Sequence, residues 1–254
     1  MLLDCAPSMP LADVVVIVLV RPSRPANVAA ACRAMKNMGL GTLRIVGPPA
    51  ELYASENRAL AYGAWDVLDG AATPASLRLA VEDATLVVGT SGKAGSMAWT
   101  PRELAREAPA RARGGRIAVV FGPEASGLTN EELALCHATV RIPTDQSHPS
   151  LNLAQAVLIV AYELFVAPPT LPSLPPAAEL AKAGDLEATL ADLQAALTDV
   201  GYLNPQNPAA ILGELRALLV RAAPSPREIA LLRGIARQLA WAGRRITGAG
   251  GPDA

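Results

Sequence analysis

The sequence offers little to a metal ion or a disulfide framework. It holds two histidines and three cysteines in 254 residues. Cys5, Cys32 and Cys136 are odd in number, far apart and without CxxC spacing, which argues against both paired disulfides and a structural zinc site. With no HxxxH pair and no Asp/Glu cluster at ligand spacing, a metal-centred mechanism is not expected. Long hydrophobic runs are missing as well. "VVVIVLV" (14–20) and "AVLIVAY" (156–162) fall far short of the ~20 residues that span a bilayer. The opening "MLLDCAPSMP" lacks the basic n-region and apolar stretch of a secretory signal. The expectation is a protein of the reducing cytoplasm with no membrane anchor and no metal.

Net charge is nearly absent too, at −1, which at first argues against a nucleic-acid partner. Its distribution argues the other way. From Arg216 to Arg245 there are seven arginines (216, 221, 227, 233, 237, 244 and 245) against one acid, Glu228, while residues 185–199 hold four acids and no base. A stripe of about +6 is the electrostatic footprint of a phosphate-backbone contact. A solvated helix face is the alternative reading.

What the sequence does have is ample core material, 51% apolar residues, in two differently organised regions. Residues 167–178, "APPTLPSLPPAA", carry five prolines and read as a semi-rigid linker between a domain at 1–166 and another at 179–254. Before the linker, short β-branched runs at 14–20, 42–46, 85–91, 117–122 and 139–143 alternate with helical segments, among them 25–38, closed by Gly39, and 150–166. Continuous apolar strands alternating with helices imply an α/β domain with a parallel sheet covered on both faces. After the linker the pattern is all helical, at roughly 177–200, 207–222 and 226–244, with prolines near the helix starts.

Ligands of open α/β sheets bind beyond the C-terminal ends of the strands. The first strand is followed by "RPSRPANV", which has no glycine, so a GxGxxG dinucleotide site is excluded there. Glycines gather later, in "GTSGKAG" (89–95) and "GPEASGLTNEE" (122–132). A third polar loop, "IPTDQSHPSLN" (142–152), runs into the last helix of the domain. Ser150, followed by Asn152 and Gln155, could cap that helix or face a ligand.

The segments "RPSRPANVAAACRAMKNMGL", "FGPEASGLTNEEL" and "IPTDQSHPSLNLAQAVLIVAYEL" resemble the three ordered motifs of the SpoU branch of the SPOUT RNA methyltransferases. The C-terminal "GYLNPQNP" and "LLRGIARQL" are similar to tRNA ribose 2′-O-methyltransferases within that branch. The resemblance covers 13–166 strongly and 185–240 moderately. It implies a C-terminal trefoil knot, S-adenosyl-L-methionine as methyl donor, and a homodimer with the active site between protomers. It also implies a tRNA substrate, with transfer to the ribose of nucleotide 32 in the anticodon loop. Ribosomal RNA, or RNA binding without turnover, are the competing readings. Knots are nearly absent from folds, so that expectation rests on the resemblance alone.

The same resemblance implies the site residues. Ser150 and Asn152 would close over the donor and position the RNA. Arg33 would serve the departure of the hydroxyl proton, either as a perturbed base or by holding the phosphate while the proton leaves through water. At 100° per residue Arg33 lies about 140° from the core-facing Val28, so it points away from the core. Asn27 would be a scaffold, Glu124 would hold an arginine or a loop, and Gly127 would permit close backbone approach. Thr90, Ser91, Gly92, Gly122, Ile142, Pro143 and Leu151 would line the donor's adenosine. Departures from the family pattern are Ala26 and Ala29 in place of glycines and neutral Pro123 and Ala125. They leave Lys93 nearly alone as a basic residue in the loops and weaken the case for RNA binding by that face.

Overall fold

The computed structural model describes residues 14–92, 98–112, 115–147, 149–167, 179–204 and 208–248. The proline-rich stretch, past Ala167, and Lys93 lie outside the described residues. The chain divides into two compact units, Met1–Ala177 and Ala178–Ala254.

The first unit is built on β1 (Val15–Val20), β2 (Thr42–Val46), β3 (Ala84–Thr90), β4 (Ala98–Trp99), β5 (Arg116–Phe121) and β6 (Ala138–Val140). They form one sheet of order β2-β1-β5-β3-β6-β4, and every pairing is parallel. All six residues of β1 are buried, so neither face of the sheet centre meets water, as its unbroken β-branched run requires. The longer helices of this unit are α1 (Pro25–Asn37), α5 (Pro101–Ala112) and α7 (Leu153–Val166), with one-turn helices α2 (Ser55–Ala59), α3 (Trp65–Asp69), α4 (Leu77–Val81) and α6 (Asn130–Ala134).

Helix α1 has Pro25 in its first turn, where a missing N–H costs nothing. It buries Val28, Cys32 and Met35 and packs against α7. Gly39, at φ 72°, ends the helical path as expected.

Two boundaries differ from the sequence reading. β6 stops at Val140 rather than running through 143. Arg141 makes a last bond to the β4 edge, donating its N–H to the Trp99 carbonyl, and Pro143 has no N–H to carry the ladder further. Helix α7 begins at Leu153, with Asn152 and not Ser150 as its N-cap. The side chain of Asn152 accepts from the N–H of Ala154 at 2.9 Å, and that of Gln155 accepts from the N–H of Asn152 at 3.2 Å, a reciprocal capping box.

The second unit holds α8 (Ala183–Asp199), α9 (Ala209–Ala222) and α10 (Pro226–Gly248). Ala181, Leu186, Leu190, Leu219 and Ile229 form its core. Three of the four acids of α8 pair with the arginine stripe. Arg216 pairs with Glu187, which is only 8% exposed; Arg233 pairs with Asp192 at 2.8 Å and Arg244 with Asp199 at 3.8 Å. The expected stripe of seven is therefore partly neutralised. Arg221, Arg227, Arg237 and Arg245 have no acidic partner among the described residues, and Arg245 lies over the Trp241 ring at 4.7 Å.

No helix among the described residues is long and apolar enough to cross a membrane. Among the same residues no group of three His, Cys, Asp or Glu side chains could hold a metal ion.

Candidate active site

The polar loops leave the C-terminal ends of adjacent strands: 21–24 after β1, 122–129 after β5, 90–92 after β3 and 141–152 after β6. Backbone bonds tie their roots together. Ser91 donates its N–H to Val140 at 3.0 Å, joining the ends of β3 and β6, and Arg21 to Val46 at 2.7 Å, joining the first loop to the end of β2.

Three of the expected site residues join in one hydrogen-bonded chain. Glu124 accepts from Asn27 Nδ2 at 2.6 Å, from Ser23 N–H at 2.9 Å and from Ser23 Oγ at 2.8 Å. Asn27 Oδ1 in turn accepts from Asn152 Nδ2 at 2.9 Å. A carboxylate only accepts, so the Asn27 amide must present its nitrogen to Glu124 and its oxygen to Asn152. The capping bond from Ala154 fixes Asn152 the same way round, and every amide orientation is mutually consistent. Asn152 keeps one N–H, directed at neither Asn27 nor the helix. Burial pushes the Glu124 carboxyl up, but the bonds from Asn27 and Ser23 outweigh it and hold the group below the ordinary carboxylate range.

Of the two roles expected for Glu124, holding a loop is the one observed, because its partners all lie in 23–27 and none is an arginine. Arg33 is not part of the chain. It stands six residues beyond Asn27 on α1, about 9 Å along the helix axis, exposed and without a hydrogen bond or ion pair to the described residues. Ser150 is likewise exposed, its hydroxyl unbonded among the described residues. The capping role considered for it belongs to Asn152.

The close backbone approach expected at Gly127 is needed at Gly122. A Cβ on Gly122 would overlap the Leu128 amide nitrogen and lie 2.5 Å from the Gly127 carbonyl carbon, while one on Gly127 would meet nothing within 4 Å. Gly127 serves instead by its φ of 66°, in the left-handed region. We expect Gly122→Ala to destabilise the protein by about 3 kcal/mol, the upper end of overpacking costs, because backbone and not a side chain must move. Thermal denaturation checks this; an unchanged melting temperature would remove the close packing of 122 against 127–128 from the account.

Thr90 and Ser91, Gly122 and Gly127, and Ile142 and Leu151 are half-buried, while Gly92 and Pro143 are exposed. Gly92, like Gly127, has open space where a Cβ would stand.

Sequence reasoning missed Ser23, Arg21 and Glu132. Arg21 Nη1 meets Glu132 Oε1 at 2.6 Å across 111 positions of sequence, a separation that leaves no local signal.

Residues 14–162 match the model of the SpoU rRNA methylase family, and residues 184–249 match the C-terminal domain of the tRNA methyltransferase TrmJ. The tRNA (cytidine/uridine-2′-O-)-methyltransferase TrmJ of Pectobacterium atrosepticum is 39% identical over 230 residues, covering 88% of this chain and 95% of the relative. The tRNA (cytidine/uridine/adenosine-2′-O-)-methyltransferase TrmJ of Pseudomonas aeruginosa is 38% identical over 238 residues, 88% and 92% of the two chains. The crystal structure of TrmJ from Zymomonas mobilis superposes with a TM-score of 0.75 at 33% identity, covering 88% of this chain and 98% of that one. Family match, full-length relatives and shared fold agree: the chain belongs to the TrmJ group of the SpoU methylase family.

Proposed function

We propose that the protein is an S-adenosylmethionine-dependent tRNA ribose 2′-O-methyltransferase. In this reading it works in the cytoplasm as a homodimer, on nucleotide 32 of the anticodon loop. The observation that carries the reading is the Glu124–Asn27–Asn152 chain, which ties together the three motif-bearing segments in a protein that matches TrmJ relatives over nearly their whole length. The names of the two relatives differ in whether adenosine is included, so membership of the group leaves the base preference open.

The loops fit the donor. Open space at Gly92 and Gly127, the half-buried apolar side chains of Ile142 and Leu151, and the backbone groups of 90–92, 122 and 142–143 would hold an adenosine without a charged partner. S-adenosylmethionine supplies a methyl group already activated on a sulfonium centre, which leaves the protein alignment and removal of a proton. Arg33, free of any ion pair among the described residues, would grip the phosphate beside the target ribose. A guanidinium donates and does not accept, so Arg33 orients the 2′-hydroxyl electrostatically while the hydroxyl proton passes to water. Ser150 Oγ and the remaining N–H of Asn152 would position the ribose. Asn27 and Glu124 keep that asparagine in place.

Two further features of the reading have support in the fold. Strand β6 lies between β3 and β4, both earlier in the chain, an order that a trefoil knot can have. On α7, Leu158, Tyr162 and Phe165 follow helical spacing on an exposed face, with Tyr162 50% and Phe165 62% exposed. Beside it runs α1 with Ala30 and Arg33 exposed. This face suits a two-fold contact that would bring Arg33 to the partner's donor loops. Tyr162→Asp combined with Phe165→Asp should convert the dimer to a monomer in sedimentation; a dimer unchanged by both would place the interface elsewhere.

The reading itself is tested by incubating the protein with methyl-labelled donor and either unmodified tRNA or ribosomal RNA. Label is expected on tRNA. Label on ribosomal RNA alone contradicts the assignment.

A further inference from the structure

The segment after β1 is clasped to the segment after β5 twice, and only one clasp, that of Glu124, involves residues to which the resemblance gives a role in the site. The second is Arg21 with Glu132. Arg21 is one of three described non-glycine residues at positive φ, 45°, a conformation that persists only when its surroundings fix it. They do so from two sides. Its N–H is held by the Val46 carbonyl at 2.7 Å, and its guanidinium by Glu132 Oε1 at 2.6 Å. Glu132 is anchored in turn, because its Oε2 accepts from the N–H of Thr129 at 2.8 Å in the capping box that starts α6. Gly47 completes the socket: a Cβ there would lie 3.2 Å from Arg21 Cγ. Burial pushes the Glu132 carboxyl up, yet the bonds from Arg21 and Thr129 keep it below the usual carboxylate range, so it stays an anion for this pair.

We infer that Arg21 is a positioning residue for methyl transfer. Its hydrogen bonds and ion pair go to Val46 and Glu132, and not to Arg33 or to the residues assigned to the donor. Two residues on, Ser23 reaches Glu124, and two residues after that α1 begins, carrying Asn27 and then Arg33. Release of the Glu132 anchor would let residue 21 leave its left-handed conformation, and the start of α1 would shift with it. Asn27 would then lose its register between Glu124 and Asn152, and Arg33 its placement. The inference rests on the methyltransferase reading above.

The test uses the full chain with Arg21→Met, Arg21→Lys, Glu132→Gln and the Arg21→Met/Glu132→Gln double variant. The Gln variant keeps an oxygen for Thr129 and so keeps the α6 cap, but it turns an amide donor toward Arg21. Arg21→Met should lower kcat on tRNA by roughly 10- to 100-fold, the cost of about an ångström of misplacement, at nearly unchanged KM. Arg21→Lys should restore most of the rate, since an ammonium can still pair with Glu132. The double variant should be no worse than either single, as two ends of one interaction require. A loss confined to KM, with Glu132→Gln at the wild-type rate, would make Arg21 a direct RNA contact and overturn the inference. Hydrogen exchange in 21–28 provides a readout independent of activity. It should speed up in Arg21→Met with S-adenosylmethionine binding unaltered, and unchanged exchange refutes the clasp. A wild type that methylates no tRNA would defeat the methyltransferase reading, while the exchange comparison would still decide whether Arg21 holds the loop.

Discussion

Replacement of Arg33 by alanine is expected to lower the rate of methyl transfer by roughly 10² to 10⁴, the range for one positioned electrostatic or acid–base group. Donor affinity should not change, because the donor is assigned to loops 90–92, 122–127 and 142–151, none of which lies on α1. Folding should not change either. Arg33 is exposed and bonded to nothing among the described residues, so truncation creates no cavity and strands no buried partner; such surface substitutions stay within about 0.5 kcal/mol. A structural arginine would show the reverse pattern, a lower melting temperature or a broken dimer with the rate per folded dimer preserved. Calorimetry with S-adenosylmethionine and single-turnover methylation on one preparation separate the two. A folded, donor-bound variant at the wild-type rate would remove Arg33 from the chemistry and leave Ser150 as the next group to test.

Neutralising the unpaired arginines of the second unit should produce the other large effect. Arg221, Arg227, Arg237 and Arg245 changed together to glutamine should weaken tRNA binding strongly at low salt and flatten its salt dependence. Each phosphate contact contributes about 0.7 to 0.9 to the slope of log affinity against log salt, so four contacts account for about 3. Between 50 and 200 mM salt, the unaltered protein should therefore lose roughly 50- to 150-fold more affinity than the variant. Had all seven arginines been free, this face would contribute about 5 to 6 to the slope of the unaltered protein. Binding titrations at several salt concentrations distinguish these numbers. An unchanged slope would mean that this face meets no phosphate, and that the stripe exists to balance the acids of α8.

The arginine stripe shows where sequence reasoning stopped. Its composition was legible, but the acids at 187, 192 and 199 are removed from it in sequence and meet it only when α8 packs against its neighbours. The sheet was far more legible, because β1 is an unbroken apolar run stopped by Arg21, and β2, apolar but for Thr42 and Arg44, lies between Gly41 and Gly47. The two-residue β4 and the one-turn α2, α3 and α4 are too short for any period to register. Helix α5 was missed for a different reason: it is charge-rich and carries Pro109, which a pattern reading treats as a breaker. At the site, the resemblance located Asn27, Glu124 and Asn152, yet their mutual bonding is a property of the folded chain. The choice between Ser150 and Asn152 as cap turned on backbone geometry, since Asn152 takes the extended φ and ψ of −61° and 145° just before the helix. Glu124 could have held an arginine or a loop, and only three dimensions show Ser23 filling the second role.

The central claim is transfer of a methyl group to a ribose hydroxyl of tRNA, and nucleoside mass spectrometry measures it most directly. Unmodified tRNA is incubated with the protein and isotopically labelled S-adenosylmethionine, digested to nucleosides and mapped by fragment. The account predicts labelled 2′-O-methylated nucleoside, confined to the anticodon-loop fragment that contains nucleotide 32. Label on a base, or no label on tRNA from a folded, donor-bound protein, would contradict it.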